Sequence, residues 1–368
     1  MIVDLIGVIF ALELLVVLHE LGHFLVAKWV GIGVDEFGVG YPPKAFTLFR
    51  WGDTEFTFNW LPLGGFVRMF GDDADTLESL GKNASAIQNN TGDPRLSFED
   101  ASVPKRLAVI VAGPLVNILV GVIAFTAIYS AIGIPQHPIV REVVVGSPAE
   151  QAGLRVQDRL LFAEGEPIQI REDFLSVLSK NVGKTVNVSI DRGGTLEELK
   201  VYVRKSDEIP EGQGAVGIRF DDDMKFFAWY EMPFRAMAQG VKDSWKFSVL
   251  VAESFVGLLS KLGSGNIPEE LSGPIGIVST ATTERLMTKG WILAVSFIGI
   301  ISMNLAILNI FPIPVLDGGR AIFVLLERVL GKKRRKVWEG YANMGGLGFL
   351  LVLMLLATGN DLMRMFGR

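Results

Sequence analysis

Four long runs nearly free of charge constrain this chain more than any other feature. They fall at about 5–30, 107–134, 291–311 and 344–358. A hydrocarbon core about 30 Å thick takes roughly 20 residues of helix. Within it, only helices or closed barrels satisfy every backbone N–H and C=O. The runs therefore predict four transmembrane helices. Composition agrees: 49% of the 368 residues are apolar, 20% are charged, and mean hydropathy is +0.38.

The averages hide a partition, because segments of ordinary soluble composition separate the runs. With no cysteine, a disulfide framework, a thiol nucleophile and a thiolate metal site are excluded. A net charge of −5 and a pI near 5.4 argue against nucleic acid as a partner. The first run lacks the basic flank and small-residue cleavage site of a signal peptide, and it carries His19, Glu20 and His23. It is read as retained.

Orientation follows from Lys and Arg at the helix ends. Lys332, Lys333, Arg334, Arg335 and Lys336 lie between the third and fourth runs and read as a loop, which is placed in the cytoplasm. Lys28, Lys105 and Arg106 put the segment between the first two runs on the same side. Both termini and the region after the second run are then outside.

Between the runs, residues 41–70 alternate with a two-residue period at Phe46, Leu48, Phe56, Phe58 and Trp60, broken by a turn at Gly52-Asp53. The stretch from Gly71 to Asp100 is rich in Asp, Asn, Ser and Gly and reads as loop or disordered chain. The outer region 135–222 reads as a small α/β module, with strands at 139–145, 185–190 and 199–203 and a helix near 171–178. Its string GSPAEQAGL at 146–154, followed by Asp158-Arg159-Leu160, resembles the helix-and-turn signature of PDZ domains. These bind an extended peptide along a sheet edge, and capture of a peptide or a blocked groove are both open here. Residues 223–290 follow, with a helical pattern from Pro233 to Leu262 diluted by Lys242, Asp243, Lys246, Glu253 and Lys261. An interfacial amphipathic helix fits that pattern better than a fifth span.

The chemistry lies in the first run. His19-Glu20-Leu21-Gly22-His23 is an H-E-x-x-H string. Four residues advance a helix by about 400°, so both imidazoles leave nearly the same face, one turn apart. That spacing lets both bind one Zn²⁺, with Glu20 placed to act on a water. Three ionisable groups in an apolar helix are costly without such a role. A catalytic zinc takes a third protein ligand. His137, the remaining histidine, falls past the second run on the outside. Asp317 follows the third run at its cytoplasmic end, the end toward which His19 and His23 also lie.

His19–His23, together with NLAILNIFPIPVLDGGR at 304–320, resembles the site-2 protease family of intramembrane zinc metalloproteases. GPLVN at 113–117, PLGGFV at 62–67 and SGPIGI at 272–277 are similar to further strings of that family. With the outer module, the chain is most similar to the bacterial regulator-of-sigma-E branch, although it shows a single PDZ-like module where well-known members carry two. The resemblance implies a polytopic α-helical protein of the bacterial inner membrane with four transmembrane helices (1–30, 107–134, 291–312 and 341–368), an inserted α/β PDZ-like domain and a membrane-associated β-hairpin within 31–106. It implies one Zn²⁺ held by His19, His23 and Asp317, the last in an LDG motif that opens a basic amphipathic segment, 313–340. Glu20 is then the general base, and single-span membrane proteins such as anti-sigma factors or remnant signal peptides are the substrates. An unwound substrate needs backbone partners. Phe58, Trp60, Gly64 and Gly65 of the hairpin, with Asn304 and Asn309, are the candidates.

Two other classes compete. A silent membrane adaptor would need only the PDZ-like module, yet Glu20 is retained. A zinc transporter would want more His or Asp on other spans. Glu13 stands seven residues before Glu20, on almost the same face and about 10 Å further along the helix. A water or proton path from outside, a substrate contact and a plain hydrogen bond to a neighbouring helix are all compatible with it. Asn117 is expected to be buried, with a hydrogen bond near the site or a plain structural bond both open and the latter favoured, and Gly113 is expected to let helices pack.

Overall fold

A computed structural model describes residues 2–71, 95–210, 212–263 and 273–366. Most of the Gly71–Asp100 stretch expected as loop, and Ser272 of the SGPIGI string, lie outside them. The chain divides into two compact units, Met1–Thr126 with Gly240–Arg368, and Ala127–Gln239.

In the first unit, α1 (Ile2–Val30) leads into a long hairpin of β1 (Val34–Trp51) and β2 (Thr54–Met69). The strands pair antiparallel with several register breaks. Phe37 is registered with both Phe56 and Val67, so the hairpin is folded over on itself rather than forming one simple ladder. It also starts earlier than the alternation from 41 suggests, because Val34 and Phe37 are buried against Phe24, Ala27 and Val67. Phe24 of α1 stands edge-on to both Phe37 and Phe56, which clamps the hairpin base to the helix.

The other long helices are α2 (Val103–Ile132), α7 (Trp291–Ile310) and α9 (Lys332–Phe366). With α1 they make four helices long and apolar enough to cross a membrane. Only 44% of the most apolar window of α2 and 11% of that of α9 is buried within the protein, so most of that apolar surface needs a non-aqueous neighbour. α5 (Met232–Gly263) and α6 (Pro274–Thr283) precede α7. The α6 N-terminus has no cap from its own sequence. Asp361 of α9 supplies one, accepting from the Gly273 N–H at 3.0 Å and the Gly276 N–H at 2.7 Å. Then α8 (Asp317–Leu330) runs up to α9.

The basic cluster at 332–336 is not a loop, as its composition suggests, but the first turns of α9. Arg335 is 1% exposed and pairs with Glu99 at 2.5 Å, Glu339 at 2.6 Å and Glu327 at 3.1 Å. Arg106, equally buried, donates twice to Glu327 at 2.7 Å. Two guanidiniums buried among three carboxylates thus tie α2, α8 and α9 together. Desolvation of these charges is offset by the opposite charges gathered around them.

The second unit is an antiparallel six-stranded sheet. Its order is β7 (Thr195–Tyr202), β6 (Thr185–Arg192), β4 (Arg159–Ala163), β3 (Ile134–Val143), β8 (Ile218–Lys225), with β5 (Glu166–Pro167) beside β4. α4 (Arg171–Lys180) buries Phe174, Val177 and Leu178 against Leu160, Val188 and Ile190. In GSPAEQAGL, Ser147 caps the short α3 (Pro148–Gln151), and the Glu150 carboxylate returns to the Gly146 N–H at 2.6 Å. Asp158 is buried and takes two bonds from Arg192, at 2.8 and 2.7 Å. The Nδ1 of His137 is bonded to the Ile168 carbonyl of the same unit.

Candidate metal centre

α1 presents His19 and His23 from one face, 5% and 6% exposed, with Glu20 alongside. Their Nε2 atoms are 3.2 Å apart and the rings meet edge to face. The turn after α7 brings in the third group. Pro312 and Pro314 stop that helix, and Val315 sits at φ 82°, a costly conformation for a β-branched residue. Its N–H donates to Asn343 Oδ1 at 3.0 Å, which holds the reversal. Asp317 therefore opens α8 with Oδ2 at 3.1 Å from His19 Nε2 and 3.5 Å from His23 Nε2.

The back side of each imidazole sets its tautomer. His23 Nδ1 lies 2.8 Å from the Val109 carbonyl, which can only accept, so that nitrogen carries the proton and Nε2 keeps a bare lone pair. His19 Nδ1 lies 3.1 Å from the Asn117 amide nitrogen. The same tautomer there requires the amide turned so that Oδ1 accepts. As placed, Oδ1 is buried without a partner among the described residues, and the turned amide gives that oxygen the His19 N–H. α2 can come this close only because it offers glycine. A Cβ on Gly113 would stand 2.3 Å from His23 Nε2 and 2.8 Å from His19 Cε1.

Two imidazole nitrogens without a proton and a carboxylate oxygen thus converge within 3.5 Å, and the carboxylate Oδ2 is buried with no hydrogen-bond donor among the described residues. Three acceptors so placed repel one another unless a cation lies among them. The separations also match a tetrahedral ion with ligand bonds of about 2.0–2.1 Å, whose ligands stand about 3.3 Å apart. In charge, a dication is balanced by Asp317 with Glu20. The residues fit a divalent metal.

The other predicted site residues divide. Asn309 stands at the centre, its amide nitrogen 3.3 Å from His19 Nε2. Asn304 does not; its amide donates to Ile300 of its own helix at 3.1 Å. Phe58 stacks on Phe46 across the hairpin, and Trp60 is 71% exposed. Gly64 and Gly65 lie over α1: the Gly64 N–H donates to Glu13 Oε2 at 2.7 Å, and a Cβ on Gly65 would come 3.4 Å from Glu20 Cγ. Sequence reasoning left Asn117 open between a bond near the site and a plain structural one, and missed Gly113 as part of the centre. Their position in α2 opposite the imidazoles is a tertiary fact, and the only local sign was their shared GPLVN string.

A helix-borne H-E-x-x-H pair beside a distant carboxylate, among helices apolar enough to cross a membrane, is an arrangement that suits a zinc metallopeptidase. The chain belongs to peptidase family M50, whose profile matches residues 7–353. A Rhizobium meliloti (strain 1021) protein, named provisionally as a zinc metalloprotease, is 31% identical over 98% of this chain and 96% of its own. Zinc metalloprotease RasP of Geobacillus kaustophilus (strain HTA426) is 27% identical over 96% of each. An Enterococcus faecalis (strain ATCC 700802 / V583) relative, named provisionally as protease eep, is 27% identical over 96% of this chain and 97% of its own.

Proposed function

We propose that this chain is an intramembrane zinc metallopeptidase that cuts single-span membrane proteins in or near their transmembrane segments. The observation that carries it is the convergence of His19 Nε2, His23 Nε2 and Asp317 Oδ2 beside Glu20. Relatives named as zinc metalloproteases supply the identity of the ion. When bound, zinc polarises the scissile carbonyl and acidifies a water. His19, His23 and Asp317 hold it. Glu20 takes the proton of the attacking water and passes it to the leaving amine. Asn117 and Val109 keep both imidazoles in the required tautomer.

A transmembrane substrate hides its carbonyls in i→i−4 bonds and must unwind locally, so residues that weaken helices favour cleavage. The unwound stretch needs a strand partner. Residues 65–69 pair, among the described registers, only with 34–39, so their other edge is available for strand addition, and Gly65 lies beside Glu20. Asn309 is placed to donate to substrate near the ligands.

The chain sits in a bacterial cytoplasmic membrane with 31–106 inside and the 135–222 module outside. Lys332, Lys333, Arg334 and Lys336 remain exposed and support that orientation, while buried Arg335 no longer counts toward it. The six-stranded sheet with α3 and α4 supports the PDZ-like reading of the module, with an extended peptide as its ligand.

The test compares the wild-type chain with Glu20→Gln in liposomes, using a single-span test substrate and metal analysis. The wild type cleaves and holds a zinc ion; Glu20→Gln holds the ion and does not cleave. Cleavage by that variant would overturn the mechanism.

A further inference from the structure

Glu13 lies outside the metal ligands and the proposed proton route, yet it is a carboxylate on an apolar helix. Its Oε2 accepts from the Gly64 N–H at 2.7 Å, while Oε1 is buried with no hydrogen-bond partner among the described residues. A leucine at this position would desolvate more cheaply, so packing alone does not account for the side chain.

The geometry on the hairpin side is specific. Gly64 has φ +86°, and a Cβ there would stand 2.5 Å from the Tyr41 ring, so the position takes glycine. That left-handed residue interrupts β2 and turns its N–H out of the strand ladder toward α1. A Cβ on the next residue, Gly65, would stand 3.9 Å from Val16 Cγ1 and 3.4 Å from Glu20 Cγ, so its backbone runs close over the same helix face. One backbone step therefore separates the residue bonded to Glu13 from the residue lying over Glu20, two carboxylates seven residues apart on α1.

We propose that Glu13 is a positioning residue for peptide-bond hydrolysis: by holding the Gly64 N–H, it fixes the height of the 65–69 edge along α1 and so the register of an added substrate strand against Glu20. The inference rests on the peptidase reading above. It assigns Glu13 no contact with the reacting atoms. What is lost without it is alignment, which appears in turnover more than in substrate capture.

The experiment uses the full chain in liposomes as wild type, Glu13→Leu and Glu13→Gln. Glutamine keeps a carbonyl oxygen that can accept from Gly64. Amide hydrogen exchange of the peptide containing Gly64 reads the latch directly, without activity. Glu13→Leu is expected to raise that exchange at least about tenfold, with zinc content and exchange in α2 unchanged. It is expected to lower kcat at least about tenfold while KM moves less than about twofold. Glu13→Gln is expected to restore slow exchange and most of the turnover. Unchanged exchange in Glu13→Leu overturns the latch; faster exchange with undiminished kcat overturns its part in the reaction. If Glu13→Gln behaves as Glu13→Leu, an acceptor at this position is not what matters, and the proposal fails. A wild type that does not cleave at all defeats the peptidase reading instead, and the latch then stands or falls on exchange alone.

Discussion

Asn117 of α2 stands 3.1 Å behind the Nδ1 of His19 and is wholly buried. Through its backbone carbonyl it also receives the Ser302 hydroxyl of α7 at 2.9 Å. One residue thus backs the His19 imidazole and links two apolar helices. Its side chain has to accept from His19, not donate to it. Asn117→Leu is expected to weaken zinc binding about 10–100-fold, as loss of a ligand's outer hydrogen bond does. Asn117→Asp, an acceptor of the same shape, is expected to retain binding. Competition with a chelator measures both, and tight binding in the leucine variant would show that His19 needs no such support.

Gly113→Ala places a methyl group where His23 Nε2 stands, 2.3 Å from the new carbon. Alanine favours a helix over glycine by about 1 kcal/mol, so α2 itself is not weakened. The expected result is a folded chain that has lost zinc and cleavage together. Metal content and a thermal melt of the same sample check it; full zinc occupancy would contradict the packing described.

Arg335→Met removes the cation between Glu99, Glu327 and Glu339. Breaking a buried pair leaves uncompensated charge and costs about 3–5 kcal/mol. Lys333→Met, a neighbour that is exposed, is expected to change stability by less than about 0.5 kcal/mol. Equal melting temperatures for the two variants would mean the network contributes nothing.

The same network predicts a response to acid. Hydrogen bonding from the Arg106 guanidinium holds the Glu327 carboxyl below its ordinary value of 4.5. A group lowered on folding stabilises the native state fully above its unfolded value, and that contribution is lost as pH falls through the lowered one. Thermal stability is therefore expected to decline below about pH 4.5, and less steeply in Glu327→Gln. An identical pH profile in that variant would assign the acid response elsewhere.

Much of this architecture is legible in the sequence, and the reason is counting. Four residues on a helix put His19 and His23 on one face in any protein, and the length of apolar runs speaks for itself. The depth of Asp317 follows from counting along a second helix. Arg335 shows where counting stops. A lysine and arginine run reads as solvated surface, and only carboxylates from residues 99, 327 and 339, gathered by folding, make a buried site for it. Glu13 fails for the same reason, since its partner is a backbone N–H on a hairpin whose doubled-back register no alternation pattern encodes. Asn304 and Asn309 look equivalent as letters on one helix, yet one reaches His19 and the other bonds its own turn.

The two imidazoles and the carboxylate that would hold the proposed metal come from the first helix and from α8, about 300 residues apart in the chain. A metal held by both works as a reversible cross-link in a protein with no cysteine to make a permanent one. Its closing of so long a loop removes entropy from the unfolded ensemble, a gain that grows with the logarithm of loop length. Stripping the metal is therefore expected to release the two ends of the chain from each other as well as to silence the site.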